Sequence, residues 1–235
     1  MSAAPSRIVL TRASEANRPW RRSLEAAGAE VLVLPLVRFE PLPSPPDHDP
    51  HAFDWILFTS PQGVRAFCDA GLSPAGARVG ALGGGTAATL AACGLPDDLG
   101  TRARTGAELA CSFVDQILPP ASILLPGPLK RLDEPRLGLV AAGFEVTELA
   151  LYRTDPVPAA YLPAAPFADG DVVFFCSPSA VDAFVAAYAE RPRCVAIGTT
   201  TAVAAREAGF PVHMADEPSL AGMARACHLE LETES

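Results

Sequence analysis

Read from its first residues, the chain alternates between short apolar runs and longer segments of mixed polarity. The runs at 7–11 (RIVLT), 29–37 (AEVLVLPLV), 55–60 (WILFTS) and 78–82 (RVGAL) are continuous rather than alternating. Continuous apolar runs of this length predict parallel strands covered on both faces. Between and after them, Glu15–Ala27, Pro61–Asp69, Thr86–Cys93 and Gly106–Leu118 read as helices, with Gly28 and Gly94 supplying left-handed ends. The alternation predicts an α/β fold with parallel sheets and right-handed crossovers.

The pattern then repeats. A shift of 115 residues lays AAGAEV (26–31) on AAGFEV (141–146), five of six identical, and LGGGTA (82–87) on IGTTTA (197–202). A shift of 117 lays residues 53–67 on 170–184 with seven of fifteen identical, including Ser60-Pro61 on Ser177-Pro178. The chain is therefore two copies of one unit. PLVRFEPLP (35–43) and ALYRTDPVP (150–158) hold equivalent places before the Pro-rich stretches Pro41–Pro50 and Pro156–Pro166. Such stretches suit crossings between domains. The expected division is one domain at 44–148 and another from 1–36 plus 159–235. The crossing segments 37–43 and 149–158 would pair as a short two-stranded ribbon. Two contiguous halves are the alternative.

Where an apolar run meets a helix, the residues become chemically informative. Ser60 and Ser177 suit helix N-caps, and Pro61 and Pro178 the first helical position. A parallel strand running into a helix lies at the carboxyl edge of its sheet, where α/β folds bind ligands and helix starts attract anions. The second pair of corners, GALGGGTA (80–87) and AIGTTTA (196–202), has the same form. Gly83-x-Gly85-x-x-Ala88, with Arg102 and Arg104 further on, could be read as a dinucleotide fingerprint. The other copy lacks the second glycine, which argues against a cofactor. Both copies keep one Gly and one Thr hydroxyl, Thr86 and Thr201. Four such corners facing one cleft would grip a wide, polyanionic small molecule.

Composition narrows the ligand further. With 49% hydrophobic and 19% charged residues the chain is globular. Its net charge of −9 and pI near 4.9 speak against nucleic acid. No apolar run reaches a membrane span, and the opening MSAAPSRIVL lacks a leader pattern, so a cytoplasmic location is expected. Six scattered cysteines predict neither a metal site nor disulfides, and His48, His51, His213 and His228 fall in no motif. No Ser/His/Asp set or carboxylate pair stands out, so strong acid–base machinery is not expected.

Taken together, VLTR (9–12), LEAAGAEVLVLPL (24–36), FDWILFTSPQGV (53–64), LGGGTAATL (82–90), GFEVTELALYRT (143–154), VVFFCSPSAV (172–181), VAIGTTTA (195–202) and PSLAGMA (218–224) resemble the uroporphyrinogen-III synthase family in order and spacing. The resemblance implies two flavodoxin-like domains joined by a two-stranded linker. It implies a cofactor-free, cyclising dehydration of hydroxymethylbilane, in which ring D is inverted to give uroporphyrinogen III. The substrate's acetate and propionate groups would explain anion-binding corners on an acidic protein. Tyr152 matches the family's cleft tyrosine and is the candidate acid. Arg12, Ser60, Pro61, Thr86, Gly127, Lys130, Arg131, Ser177, Thr200 and Thr201 are the candidate substrate contacts. Gly127 stands between Pro126 and Pro128, a departure from the family's glycine-plus-basic loop, and Gln62 replaces the more usual Asn. A monomer that receives its substrate from hydroxymethylbilane synthase is expected. The rival readings are a two-lobed binding protein or sensor for an anionic ligand and, more remotely, an NADP-dependent reductase.

Overall fold

A computed structural model describes residues 7–43, 50–164 and 167–231. The opening residues of the leader reading, His48, and parts of both Pro-rich stretches lie outside them. In chain order the first elements are β1 (Arg7–Leu10), α1 (Ser14–Ala26), β2 (Val31–Val33), β3 (Val37–Pro41), β4 (Trp55–Phe58), α2 (Pro61–Asp69), β5 (Arg78–Ala81), α3 (Gly83–Ala92) and α4 (Gly106–Gln116). They are followed by β6 (Ser122–Pro128), α5 (Arg136–Ala141), β7 (Glu145–Pro156), β8 (Asp171–Phe175), α6 (Pro178–Ala187), β9 (Arg193–Ala196), α7 (Thr199–Glu207), β10 (Val212–Met214) and α8 (Leu220–Ala226).

The chain divides into two compact units, one of Met1–Phe39 with Asp155–Ser235 and the other of Glu40–Thr154. The first unit carries a sheet ordered β10-β9-β8-β1-β2, with parallel pairing throughout. Its two faces are covered by separate apolar clusters. One centres on Val9, Val173, Phe175, Phe184 and Phe210, the other on Ile8, Leu10, Leu24, Phe174 and Met223. This two-sided burial is the physical reason for the continuous apolar runs. The second unit carries β3-β7-β6-β4-β5, in which β4, β5, β6 and β7 pair in parallel. Trp55, Phe113 and Phe144 stack edge-to-face in its core, with ring centroids 5.1 Å apart in both pairs.

The duplicated sequence shows in the strand order: β9-β8-β1-β2 of the first unit corresponds to β5-β4-β6-β7 of the second. In both, the sheet has its topological switch point between two central strands, β1 and β8 in one and β6 and β4 in the other. Ligands of open α/β sheets bind at such points. The helix-ending glycines of the aligned AAG segments, Gly28 and Gly143, take φ of +83° and +92°, which a Cβ would oppose.

Two boundaries differ from the sequence reading. The run 29–37 is not one strand. It stops at Val33 and resumes at Val37, because Pro35 has no N–H to give a ladder. Leu34 and Leu36 still donate to the carbonyls of Leu10 and Thr11, while β3 pairs in the other sheet. Leu36 accepts from Val157 at 2.9 Å and Leu42 donates to Leu151 at 2.8 Å, an antiparallel progression along β3 and β7. The other difference is α3, which begins at Gly83 rather than Thr86.

Candidate functional site

The two Ser-Pro corners are built alike. Ser60 has extended backbone, and its Oγ accepts the Gly63 N–H at 3.1 Å; Ser177 does the same with Ala180 at 3.3 Å. Pro61 and Pro178 open their helices, where the missing N–H costs nothing. Each cap thus occupies one of the amides that a helix start would otherwise offer an anion. The glycine corners differ. Helices α3 and α7 follow Leu82 and Gly198, and neither has a side-chain cap hydrogen bond. The amides best placed for an anion are therefore in the glycine corners rather than the serine ones.

Within those corners the threonines separate. Thr86 and Thr201 are each only 2% exposed, whereas Thr200 is exposed in the first turn of α7. The earlier start of α3 places Thr86 one turn inside the helix, so this hydroxyl does not stand at the helix mouth as the sequence had it. Of the three threonine candidates, Thr200 alone presents an open surface.

In the first unit, Arg12 follows β1 directly. Its guanidinium carbon lies 4.1 Å from the centroid of the Trp20 ring, a cation–π contact. Asn17 donates to the Arg12 carbonyl at 2.7 Å, and Thr11 donates to the Phe174 carbonyl at 2.7 Å, tying the end of β1 to β8. Arg12 thus follows the end of β1 that pairs with β8, at the switch point of its sheet.

In the second unit the candidates converge more closely. The Tyr152 hydroxyl lies 3.4 Å from Ser60 Oγ. Tyr152 is 5% exposed, and burial pushes its phenol above the ordinary tyrosine range, partly offset by the Ser60 hydrogen bond and the Arg131 charge. Its placement depends on an irregularity in the β6–β7 ladder. Gly127 pairs with Ala150, but Pro128 pairs with Tyr152, so Leu151 is the extra residue. An extra residue bends the strand and changes which way the next side chain points.

Gly127 is not part of an open loop, as the family pattern implied. It is buried within β6, flanked by prolines that bring no N–H. A Cβ on it would lie 3.5–3.6 Å from the Arg131 guanidinium, which therefore packs flat against the glycine. Arg131 donates from Nε to the Pro128 carbonyl (3.1 Å), from Nη1 to Leu125 (2.8 Å) and from Nη2 to Leu149 (3.3 Å). Burial lowers its pKa, countered by the Glu148 carboxylate 3.6 Å away. Its neighbour Lys130 is exposed, in a groove lined also by Leu129, Arg131, Leu132 and Arg136. The two residues of the basic pair share this groove but differ in burial and in hydrogen bonding, a split that the letters KR do not show.

Among the described residues, no three His, Cys, Asp or Glu side chains converge to hold a metal ion, and no helix is long and apolar enough to cross a membrane.

Known proteins give this geometry a context. The family model described as uroporphyrinogen-III synthase HemD matches residues 18–225. The chain is similar to the chloroplastic uroporphyrinogen-III synthase of Oryza sativa subsp. japonica, with 29% identity over 252 residues, covering 94% of this chain and 79% of that protein. Among solved structures it is similar to uroporphyrinogen-III synthetase from Helicobacter pylori, with TM-score 0.65 and 20% identity over 94% of this chain and 95% of that one. A mutant uroporphyrinogen III synthase from the extremely thermophilic bacterium Thermus thermophilus gives TM-score 0.59 and 23% identity, covering 93% and 96%. At these identities the structural likenesses speak for the fold.

Proposed function

This chain belongs to the uroporphyrinogen-III synthase family, and from that premise we propose how its own residues carry the reaction. It is a cyclising lyase of tetrapyrrole biosynthesis, closing hydroxymethylbilane to uroporphyrinogen III with inversion of ring D. Loss of the hydroxyl from ring A leaves a cation stabilised by the pyrrole itself. The protein's task is to ease that departure and hold the chain so that ring D attacks through its substituted carbon. Most of the rate advantage then comes from positioning.

The observation that carries this reading is the pairing of Tyr152 with Ser60 at 3.4 Å in a buried setting. Burial keeps the phenol neutral, so it has a proton to give the departing hydroxyl. Ser60 then donates to the phenolate oxygen as charge develops there. The same hydrogen bond offsets part of the upward shift that burial imposes on the phenol.

The substrate's carboxylates are met by the first-turn amides of α3 and α7, the Thr200 hydroxyl, Arg12 and Lys130, and by the Ser60-Pro61 and Ser177 corners. Gly127, Thr86 and Thr201 shape these corners from within. The reading extends to a monomer in the cytoplasm that takes its short-lived substrate from hydroxymethylbilane synthase.

The test is incubation with freshly generated hydroxymethylbilane, oxidation, and separation of the porphyrin isomers. Type III should dominate. If only the spontaneous type I isomer forms, the reading fails, and binding without turnover would turn it into that of an anion-binding protein.

A further inference from the structure

We infer that Arg131 is a positioning residue for Tyr152 and not a ligand of the substrate's carboxylates. The inference rests on the reading of Tyr152 as the acid and adds the device that holds it. A guanidinium binds a carboxylate best through two parallel N–H groups. Here Nε and one N–H each of Nη1 and Nη2, three of its five donors, go to main-chain carbonyls, Nε also lies 3.6 Å from the Glu148 carboxylate, and the plane lies against Gly127.

The three carbonyls define what Arg131 does. Leu125 and Pro128 bracket the Pro126-Gly127 step on β6, and Leu149 lies on the facing part of β7. Neither Pro126 nor Pro128 can donate to a ladder, so this end of β6 is short of main-chain hydrogen bonds just where the ladder slips by one residue. Arg131 supplies donors in their place. Immediately beyond, Leu129 donates to the Tyr152 carbonyl at 2.8 Å, resuming the ladder on the residue that carries the phenol. A Cβ on Gly63 would lie 3.2 Å from the Pro126 carbonyl and 3.4 Å from Ser60 Oγ, so the Ser60 corner rests on this same stretch of β6. Pinning β6 therefore fixes both hydroxyls of the Ser60–Tyr152 pair. A Cβ at 127 would meet the guanidinium at ordinary van der Waals distance, so the glycine marks how closely Arg131 packs on β6.

The experiment compares Arg131→Lys, Tyr152→Phe and the double variant in the full chain. A lysine keeps the charge but cannot reach three carbonyls at once. The expected result for Arg131→Lys is a fall in kcat on the order of 10-fold to 100-fold, as small misplacements of reacting groups produce, with KM within about twofold of wild type. In the Tyr152→Phe background the same change should cost almost nothing further. A second readout, independent of turnover, is amide hydrogen exchange at Leu129, which should quicken in Arg131→Lys. A raised KM with unchanged kcat would overturn the inference and make Arg131 a substrate ligand. Full additivity with Tyr152→Phe would overturn it as well. If the wild-type protein makes no type III isomer, the synthase reading fails separately. Leu129 exchange then decides alone, an unchanged rate being fatal to the positioning role.

Discussion

Ser60 and Tyr152, separated by 92 positions in the chain, bring their hydroxyls within 3.4 Å of each other, and Ser60 simultaneously accepts the Gly63 N–H. The cap and the candidate acid are thus one hydrogen-bonded group. Replacing Tyr152 by Phe should lower kcat on the order of 10²-fold, the usual contribution of a positioned acid, while the melting temperature stays within a few degrees. Near-normal turnover would leave positioning alone as the mechanism.

The two serine caps offer an internal control. Ser60→Ala and Ser177→Ala should each cost about 1 kcal/mol of stability, the worth of an N-cap. Ser60→Ala should also depress kcat through Tyr152, whereas Ser177→Ala should act on KM. Equal kinetic effects of the two would refute the special role of Ser60.

The threonines should divide by burial. Thr200→Val is expected to raise KM severalfold with stability unchanged, since the side chain is exposed in the first turn of α7. Thr86→Val and Thr201→Val replace side chains that are 2% exposed, so they should shift the unfolding midpoint more than substrate affinity. Steady-state kinetics and denaturant titration on the three variants distinguish the two patterns.

Equivalent aspartates at the starts of β4 and β8 predict contrasting effects. Asp54 accepts from the Ser122 backbone N–H at 2.8 Å and its hydroxyl at 2.9 Å, and these bonds hold its carboxyl below the usual range. A depressed folded pKa gives stability that is present above the unfolded value, about 3.9, and is lost as pH falls through the folded value. The stability gap between wild type and Asp54→Asn should therefore be flat at neutral pH and shrink below pH ~4. Asp171, fully buried, meets Arg7 Nη2 at 2.6 Å. Asp171→Asn should cost more, about 2 kcal/mol, because it weakens the charge-assisted hydrogen bonds that a buried carboxylate receives from Arg7 and the Ala168 N–H.

Thiol labelling at about pH 8, near the ordinary thiol pKa, should proceed in two phases. Cys93 and Cys111 are exposed and should react first. Burial pushes Cys194 up to about 12 and Cys227 up to about 11, so these should react only as the protein opens. Rapid modification of all six cysteines would contradict the packing of the first unit.

Local physics was readable without coordinates wherever a residue's effect stayed within its own turn. Ser60 and Ser177 cap their helices because a serine before a proline at a strand's end has few other uses, and α2 spans Pro61–Asp69 as its pattern predicts. Gly28 and Gly143 end their helices for an equally local reason. Three consecutive glycines read as a turn, which sets the expected start of α3 at Thr86. In the structure Gly83 makes that turn with φ of +75°, and the helix begins there.

The candidate site was legible as a set of residues but not as an arrangement. Lys130 and Arg131 are adjacent letters, yet one is exposed and the other spends its donors on three carbonyls. The clue available in the sequence was Pro126-Gly127-Pro128, a strand end poor in donors, with an arginine close behind it.

By itself, then, the sequence determined the α/β class, the duplication, the capped helix starts and the family, because propensity, capping and apolar patterning act over a few residues. Only the tertiary structure decided that Leu34 and Leu36 leave one ladder before β3 joins another, that Tyr152 meets Ser60 across a ladder slip, and that Thr86 and Thr201 are buried while Thr200 is not. Those facts depend on strand register and on which partner reaches each donor first, and both are set by contacts between segments far apart in the chain.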